Sequence, residues 1–440
     1  MAVKLYYRVF FIALFVKLLL AAILPITSDE SYYWVWSLHP QLNYYDHPAM
    51  VSWLFYFGRL FDGLGAASRW PGVLMSHGTL FFWTLIFRRH LNWKEKQCLL
   101  WLGLALLNPL FGAGALIITP DIPLLFFWSL GVFGFLEMLE KPSWKTSLVF
   151  GIALGLGLIS KYMIALLPLS LIVASLVKWR WWKKIGIFLP VIFLGFFLGA
   201  LPFFIWNLQN DWISVKFQLD HGFKSTPWKP NWTVEYIALQ VGLIFPPLFY
   251  LAIKGIRKSP VWLTSLAFVP LIFFLFTSFS GYVEANWPIV SYPAIFALTV
   301  QAGGKRIQKW TKLFWAVIVL IVFGLVITQY SPFKKPIKTR EFFEFQDLYS
   351  SIEKYEPLYA RSYQMASRLS FEKKKIIYKL RGLNRRDAYD FWPGSLPSSH
   401  FYLIVESHED LTKEYKDQGF RVLSSQPLSE KFKVLEIGKQ

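Results

Sequence analysis

Acidic side chains, histidines and aromatic rings are concentrated in one short connection of this chain, "SDESYYWVWSLHPQLNYYDHPAM", which covers residues 28–50. Asp29 and Glu30 stand together near its start, and Asp46 and His47 precede a proline near its end. A positioned carboxylate can remove the proton from an attacking hydroxyl group. These residue types predict chemistry on a polar substrate, with Asp29 and Glu30 as the first catalytic candidates.

Three later turns carry groups that complement these acids. They are "ITPDIPL" with Asp121, "SKYM" with Lys161 and Tyr162, and "LDHGF" with His221. Cations can hold a leaving phosphate group while a carboxylate activates the acceptor. The set therefore suits a reaction between a polar acceptor and a phosphorylated lipid. It predicts Asp121 as a further catalytic residue, and Lys161, Tyr162 and His47 as the residues that bind the donor phosphate.

Two additional roles follow from the same residue types. A carboxylate and a histidine could hold a divalent metal, with Asp46 and His221 as candidate ligands, although their spacing matches no recognised metal motif. The rings of Tyr32, Tyr33 and Trp34 could stack on a sugar or an acceptor. Dinucleotide-binding, P-loop, zinc-protease and nucleophile-elbow motifs do not occur in the sequence, so no other cofactor is predicted.

Each of these residues also has a purely structural interpretation. Thr27 and Glu30 fit a capping box that opens a helix, and Asp29 would favour the same helix N-terminus. Asp121 could be a turn residue, and Lys161 could anchor its helix at the membrane surface. The histidines could be ordinary loop residues, and the rings could belong to an interfacial aromatic belt.

The elements that must position these residues are long apolar segments. The chain has 440 residues, of which 55% are hydrophobic and 19% aromatic. A membrane span needs about 20 mostly apolar residues. This criterion predicts eleven spans, at residues 8–26, 68–87, 97–117, 121–139, 146–160, 162–177, 185–206, 236–254, 260–279, 286–302 and 312–330.

The distribution of positive charge predicts the orientation of these spans. The net charge of +19 lies in short clusters between apolar runs, which is typical of a multi-pass membrane protein and does not indicate nucleic-acid binding. Nineteen lysines and arginines fall on one side and six on the other. The prediction is therefore a cell (inner) membrane protein with a cytoplasmic N-terminus and the C-terminal region outside. The single cysteine, Cys98, excludes an intrachain disulfide.

The outer connections differ in composition from the inner ones. Residues 27–67 are aromatic and acidic, and their short apolar pieces predict helices lying in the membrane interface. Residues 331–440 hold 20 Lys and Arg against 15 Asp and Glu, with strand-like pieces such as "FYLIVES" and "RVLSS". We predict a mainly α-helical transmembrane domain at residues 1–330 and a small soluble α/β domain at residues 331–440.

Several motifs together resemble a known family. They are the opening stretch, "ITPDIPLLFFW", "GLGLISKYMIALL", "LPFFIWNLQNDWISVKFQLDHG", "EANWPIVSYPA" and "NRRDAYDFWP". In this order they are similar to bacterial glycosyltransferase family 39 proteins, relatives of the dolichyl-phosphate-mannose–protein mannosyltransferases and of the aminoarabinose transferase that modifies lipid A. The resemblance implies a GT-C fold, a polyprenyl-phosphate sugar donor and an inverting displacement on the outer face.

The same resemblance implies roles for individual residues. Asp29 matches the acid of the first outer loop, the catalytic base or its partner, and Asp121 matches the second outer-loop acid. Lys161 matches a lysine near the donor phosphate. Asp46 and His47 stand where the aminoarabinose transferase has an acid and a lysine. His221 falls where a metal-binding or donor-binding histidine is expected.

The sequence therefore predicts a hexosyl or pentosyl transferase that uses an undecaprenyl-phosphate sugar. It does not identify the sugar, or decide whether the acceptor is a lipid, a glycan or a protein. Membrane lipid is an expected partner. One alternative is a flippase for lipid-linked sugars, which would want polar groups along a path through the membrane midplane rather than at one face. Another is a non-catalytic scaffold, in which the acidic cluster would have no evident purpose.

Overall fold

A computed structural model describes residues 2–223, 227–328 and 342–439, and these residues form two compact units. The helical unit contains residues 1–23 and 47–323, and the tail unit contains residues 24–46 and 324–440. The tail unit thus includes part of the first outer connection, which we had predicted to belong to the transmembrane domain.

The described part of the chain is mainly helical, as predicted. The helices are α1 (Ala2–Ile23), α2 (Ser28–Leu38), α3 (Met50–Gly58), α4 (Trp70–His90), α5 (Glu95–Leu107), α6 (Asp121–Glu140), α7 (Trp144–Leu158), α8 (Leu166–Val177), α9 (Trp181–Gly186), α10 (Leu189–Gln209), α11 (Ile213–Phe223), α12 (Pro230–Ile244), α13 (Pro246–Ile256), α14 (Val261–Thr277), α15 (Tyr292–Ala302), α16 (Lys305–Thr328), α17 (Tyr363–Lys373) and α18 (Lys413–Asp417). Each predicted span overlaps one of these helices or a pair of them.

Length and composition support a smaller number of spans than predicted. Among the described residues, four helical stretches are long and apolar enough to cross a membrane: Leu5–Ile23, Asp121–Glu140, Leu189–Gln209 and Lys305–Thr328. The number rises to six if two bent helix pairs each count as one span. The helices α7, α14 and the stretch Tyr162–Val177 are apolar but shorter. The number eleven therefore stays a prediction.

The two bent pairs break next to proline, which cannot donate a backbone hydrogen bond. The first pair bends by 76° at Asn108, just before Pro109, and the second bends by 84° at Phe245, just before Pro246. Asn108 caps the new turn through its Oδ1, and its Nδ2 donates to the carbonyl oxygen of Leu243 at 2.9 Å. The stretches predicted as spans at residues 97–117 and 236–254 are therefore bent in the structure.

Helices α7 and α10 pack with their backbones in close contact. Gly151 and Gly155 on α7 meet Gly195 and Gly199 on α10, and each pair has the Gly-x-x-x-Gly spacing that permits close approach of membrane helices. A Cβ atom added to Gly155 would lie 2.3 Å from the carbonyl oxygen of Phe196. The end of α7 leads into the turn that carries Lys161, so this packing holds the helix that precedes that turn.

The tail unit contains a five-stranded mixed sheet, which confirms the predicted small α/β fold. Its strands are β1 (Leu358–Ala360), β2 (Tyr378–Lys379), β3 (His400–Glu406), β4 (Phe420–Pro427) and β5 (Phe432–Lys439), in the order β2-β1-β3-β5-β4. β1 pairs in parallel with β2 and β3, whereas β5 pairs antiparallel with β3 and β4. The crossover from β1 to β2 is α17.

Helix α2 packs against α17 inside the tail unit. The ring of Tyr32 lies 4.6 Å from that of Tyr363, and the ring of Trp34 lies 5.3 Å from that of Phe371. α2 is therefore a buried helix, which corrects the expectation that it lies in the membrane interface. Helix α3, in contrast, exposes Tyr56 and Phe57, so an interfacial position stays a prediction for α3 alone.

Candidate active site

Asp29 lies in the first turn of α2 and its side chain is exposed. Its Oδ1 accepts a hydrogen bond of 3.2 Å from the hydroxyl of Tyr363. Burial raises the pKa of Tyr363, and the negative charge of Asp29 raises it further, so this hydroxyl stays a donor. The partial positive charge of the helix N-terminus also favours the ionised carboxylate. Asp29 is thus an exposed, oriented carboxylate that can accept a proton from a substrate hydroxyl.

Glu30, in contrast, is fully buried and closes the helix cap. Its Oε2 accepts from the backbone N–H of Thr27 at 3.0 Å, and its own N–H donates to Thr27 Oγ1 at 3.2 Å. This reciprocal pair is the capping box that the sequence indicated. The geometry therefore gives Glu30 a positioning role, since it holds the turn on which Asp29 stands.

Asp46 is a buried carboxylate in the same unit. Its Oδ2 accepts from the hydroxyl of Tyr32 at 2.9 Å and lies 3.9 Å from a guanidinium nitrogen of Arg385. Burial raises the pKa of Asp46 to about 7, with a further contribution from the charge of Asp387. Asp46 can therefore change its protonation state near neutral pH.

Arg385 links the surroundings of these two acids. Its guanidinium lies 4.7 Å from the centre of the ring of Tyr363, the residue whose hydroxyl donates to Asp29. The same guanidinium lies 3.9 Å from Asp46. Arg385 belongs to the motif "NRRDAYDFWP", for whose two arginines no role was predicted. The contact between Arg385 and Tyr363 joins residues far apart in the sequence, which local patterns do not predict.

A buried ion cluster holds the loop that carries Arg385. The Nζ of Lys379 lies 2.8 Å from Asp387 and 2.8 Å from Asp390, and it donates to the backbone carbonyl of Arg385 at 2.8 Å. Burial raises the pKa of Asp387 to about 6, while Lys379 opposes this rise. Since a buried charge is costly without partners, this cluster constrains the loop strongly.

The three rings predicted to stack on a sugar are buried in the tail unit. Tyr32, Tyr33 and Trp34 are 2%, 5% and 2% exposed. Tyr32 and Trp34 pack on α17 as described above, and Tyr33 packs edge-on against Trp36. A ring that stacks on a ligand must present one face to it. The structure therefore argues against the predicted stacking and gives these rings a packing role.

A second cluster lies in the helical unit and contains Asp121 and Lys161. Asp121 begins α6, and Lys161 follows the end of α7. The Lys161 Nζ donates to Asp121 Oδ1 at 2.7 Å, and Asn286 Nδ2 donates to Asp121 Oδ2 at 2.6 Å. Both charged side chains are almost fully buried. Asn286 belongs to the motif "EANWPIVSYPA", and no role was predicted for it.

Tyr162 follows Lys161 directly in the chain, and His47 lies three residues before Met50, the first residue of α3. The N–H of Met50 donates to the carbonyl of Ile159 at 3.0 Å, which ties the segment after His47 to the turn before Lys161. Tyr162 is half-buried, and its hydroxyl lies 3.5 Å from Ser214 Oγ. The predicted phosphate-binding roles of Lys161, His47 and Tyr162 remain predictions.

The predicted metal ligands do not form a visible metal site. Within the described residues, no group of three or more His, Cys, Asp and Glu side chains could hold a metal ion. Asp46 contacts a tyrosine hydroxyl and faces an arginine, surroundings that suit an ion pair better than a divalent cation. The side chain of His221 lies outside the described residues. The metal therefore stays a prediction without support from this geometry.

Comparison with known proteins identifies relatives of the chain. Residues 46–206 match the family described as dolichyl-phosphate-mannose-protein mannosyltransferase. The lipid A galacturonosyltransferase RgtD of Rhizobium johnstonii is 25% identical over 305 residues, which are 64% of this chain and 61% of RgtD. The lipopolysaccharide core galacturonosyltransferase RgtA of the same species is 28% identical over 171 residues, which are 38% of this chain and 34% of RgtA.

Two solved structures of ArnT from Cupriavidus metallidurans share the fold. The one bound to undecaprenyl phosphate has a TM-score of 0.67 and the apo form a TM-score of 0.64, both at 16% identity. Each alignment covers 99% of this chain and 97% of the ArnT chain. The chain therefore has the same fold as ArnT, and its residues 46–206 are similar to the mannosyltransferase family.

The sequence match to this family covers only part of the chain. It includes Asp46, His47, Asp121, Lys161 and Tyr162. The opening of α2 and the loop that carries Arg385 lie outside that range. The aligned part of the chain spans about three fifths of the length of RgtD, the first curated relative.

Proposed function

We propose that this protein is an integral membrane glycosyltransferase that moves a sugar from a polyprenyl monophosphate, such as undecaprenyl phosphate, to a hydroxyl group outside the cytoplasmic membrane. The names of the relatives support a lipid acceptor, because RgtD acts on lipid A and RgtA on the lipopolysaccharide core. The ArnT structure with bound undecaprenyl phosphate supports the donor class. The transferred sugar stays open.

The geometry of Asp29 carries this proposal. An exposed carboxylate at a helix N-terminus, oriented by Tyr363, suits a general base. The acceptor oxygen attacks the anomeric carbon while its proton passes to Asp29. The bond between that carbon and the phosphate oxygen breaks, and its electron pair leaves with the polyprenyl phosphate. Attack from the face opposite the phosphate inverts the anomeric configuration.

Lys161 is our proposed stabiliser of the leaving phosphate. In the structure its charge is balanced by Asp121, which Asn286 also holds in place. We assign Asp121 the role of positioning Lys161, because both carboxylate oxygens already accept hydrogen bonds. A phosphate group that binds Lys161 would neutralise part of the lysine's positive charge through a charge-assisted hydrogen bond.

A transport assay combined with a transfer assay tests the proposal against the flippase alternative. Purified protein in detergent receives a radiolabelled polyprenyl-phosphate sugar and lipopolysaccharide from a strain lacking the protein. We expect the label to appear on the acceptor in the absence of any membrane gradient. The same reaction in the presence of a chelator tests whether transfer requires a metal. Movement of the donor across liposomes without transfer to any acceptor would favour the flippase.

A further inference from the structure

Two neighbouring arginines in the tail unit have unusual surroundings. Arg385 and Arg386 are both exposed, and each lies against aromatic rings. The guanidinium of Arg385 is 4.7 Å from the Tyr363 ring centre, and that of Arg386 is 4.8 Å from the Phe391 ring centre and 5.4 Å from that of Tyr45. Stacking of this kind restricts a guanidinium to one orientation.

Neither guanidinium makes a hydrogen bond to any residue that the structure describes. The contact of Arg385 with Asp46 is 3.9 Å long, which is beyond hydrogen-bond distance. Two other arginines of the tail unit do use their donors: Arg361 pairs with Glu409 at 2.8 Å, and Arg368 donates to the carbonyl of Phe342 at 2.8 Å. The donors of Arg385 and Arg386 are therefore oriented but unused.

The acids near Arg385 leave much of its charge available. Asp387 and Asp390 are engaged by Lys379. Burial raises the pKa of Asp46 to about 7, so this carboxyl carries only part of a negative charge at neutral pH. An arginine that is fixed, exposed and incompletely neutralised is suited to binding an external oxyanion by its planar fork of N–H groups.

We propose that Arg385 and Arg386 form an anion subsite that binds a carboxylate or phosphate group of a substrate. This inference rests on the proposed function, since it places the anion on the donor or the acceptor of the transfer reaction. Tyr363 connects the subsite to the catalytic base, because one of its faces supports Arg385 while its hydroxyl donates to Asp29. The anionic group has two sources: the carboxylate of a uronic-acid sugar on the donor, or a phosphate on a lipid acceptor.

Binding measurements on the purified full-length protein distinguish these sources. The first pair of probes is a polyprenyl-phosphate hexuronic acid and the corresponding neutral hexose. The second pair is lipid A with its phosphates and the same lipid after dephosphorylation. We expect the wild-type protein to bind the anionic member of one pair about tenfold more tightly, as one or two charge-assisted hydrogen bonds allow. The pair that shows the preference identifies the source.

Variants connect this preference to the two arginines. The double variant Arg385→Gln/Arg386→Gln should bind both members of that pair equally, while Arg385→Lys should keep an intermediate preference. Arg421→Gln, which removes an exposed arginine from the far edge of the sheet, is the matched control and should keep the full preference. Melting temperatures verify that each variant is folded.

Two results would overturn the subsite: equal binding within both pairs by the wild type, or a preference that survives in the double variant. Failure of the proposed function is separate from both. A wild-type protein that shows the preference but transfers no sugar would contradict the glycosyltransferase assignment and leave the anion subsite standing.

Discussion

Lys161 donates a hydrogen bond of 2.7 Å to Asp121, and the two side chains form an ion pair that is shielded almost completely from solvent. The pair joins the start of α6 to the turn after α7. Removal of one partner from a buried pair leaves an uncompensated charge and typically costs about 3–5 kcal/mol. The pair is therefore structural as well as functional in our account, and the two roles can be separated by mutation.

We expect Lys161→Met to unfold at clearly lower temperature than the wild type and to lose sugar transfer. The double variant Asp121→Leu/Lys161→Met removes both charges and should recover most of the lost stability, while transfer stays lost. Thermal unfolding in detergent and a transfer assay measure the two effects. Wild-type stability in the single variant would show that the ion pair contributes nothing to the fold.

Glu30 offers a test of positioning against catalysis. Because Glu30 and Thr27 hold each other in one capping box, Glu30→Ala and Thr27→Ala should each destabilise the start of α2 by about 1 kcal/mol. Both should reduce transfer by a similar, modest factor. A loss of transfer in Glu30→Ala that is far larger than in Thr27→Ala would return Glu30 to the list of catalytic residues.

The buried carboxyl of Asp46 predicts a dependence of stability on pH. Its pKa is raised from 3.8 to about 7, so the folded state favours the protonated acid. This contribution to stability is fully present below pH 4 and is lost as the pH rises to about 7. Unfolding of Asp46→Asn should therefore depend less on pH between 4 and 7 than unfolding of the wild type. Identical pH profiles would contradict the raised pKa.

The glycine contact between α7 and α10 predicts a sharp difference between two substitutions. In Gly155→Ala the new methyl group would press against the carbonyl of Phe196, and overpacking of this kind costs about 1–3 kcal/mol. Gly186→Ala is the control, since nothing lies within 4 Å of that position. Melting temperatures of the two variants should differ by several degrees, and equal values would show that the helices can separate without cost.

Local patterns predicted the local structure well. "TSDE" indicated the capping box at Thr27 and Glu30, and "FYLIVES" indicated the strand that is now β3. Apolar runs located the helices of the helical unit. In each case the interaction that decides the structure joins residues a few positions apart, so one sequence contains all the information needed.

The two helix bends within predicted spans lie beside prolines that are visible in the sequence, but the hydropathy criterion for spans does not use them. Pro109 follows Asn108, and Pro246 follows Phe245, which adopts a φ of +73°. A proline within an apolar run ends or bends a helix. Hydropathy averages over the run and does not record where the backbone loses its donor, so the predicted spans did not show these bends.

The partners of the site residues could not be predicted from one sequence. Tyr363 lies 334 positions from Asp29, and Asn286 lies 165 positions from Asp121. Contacts of this range are decided by the fold and leave no local pattern. The burial of Tyr32, Tyr33 and Trp34 shows the same limit, because an aromatic helix can face a ligand or another helix with identical sequence.

The most direct measurement of the central claim is sugar transfer by Asp29→Asn. Because the side chain of Asp29 is exposed, we expect the variant to fold normally. The amide of the new asparagine cannot take up the proton of the acceptor hydroxyl. We predict that kcat falls by about 10²–10⁴-fold with the KM for the donor unchanged, as loss of a general base implies. Tyr363→Phe should show a smaller loss, since it only removes the hydrogen bond to the base. Transfer at the wild-type rate by Asp29→Asn would contradict the account.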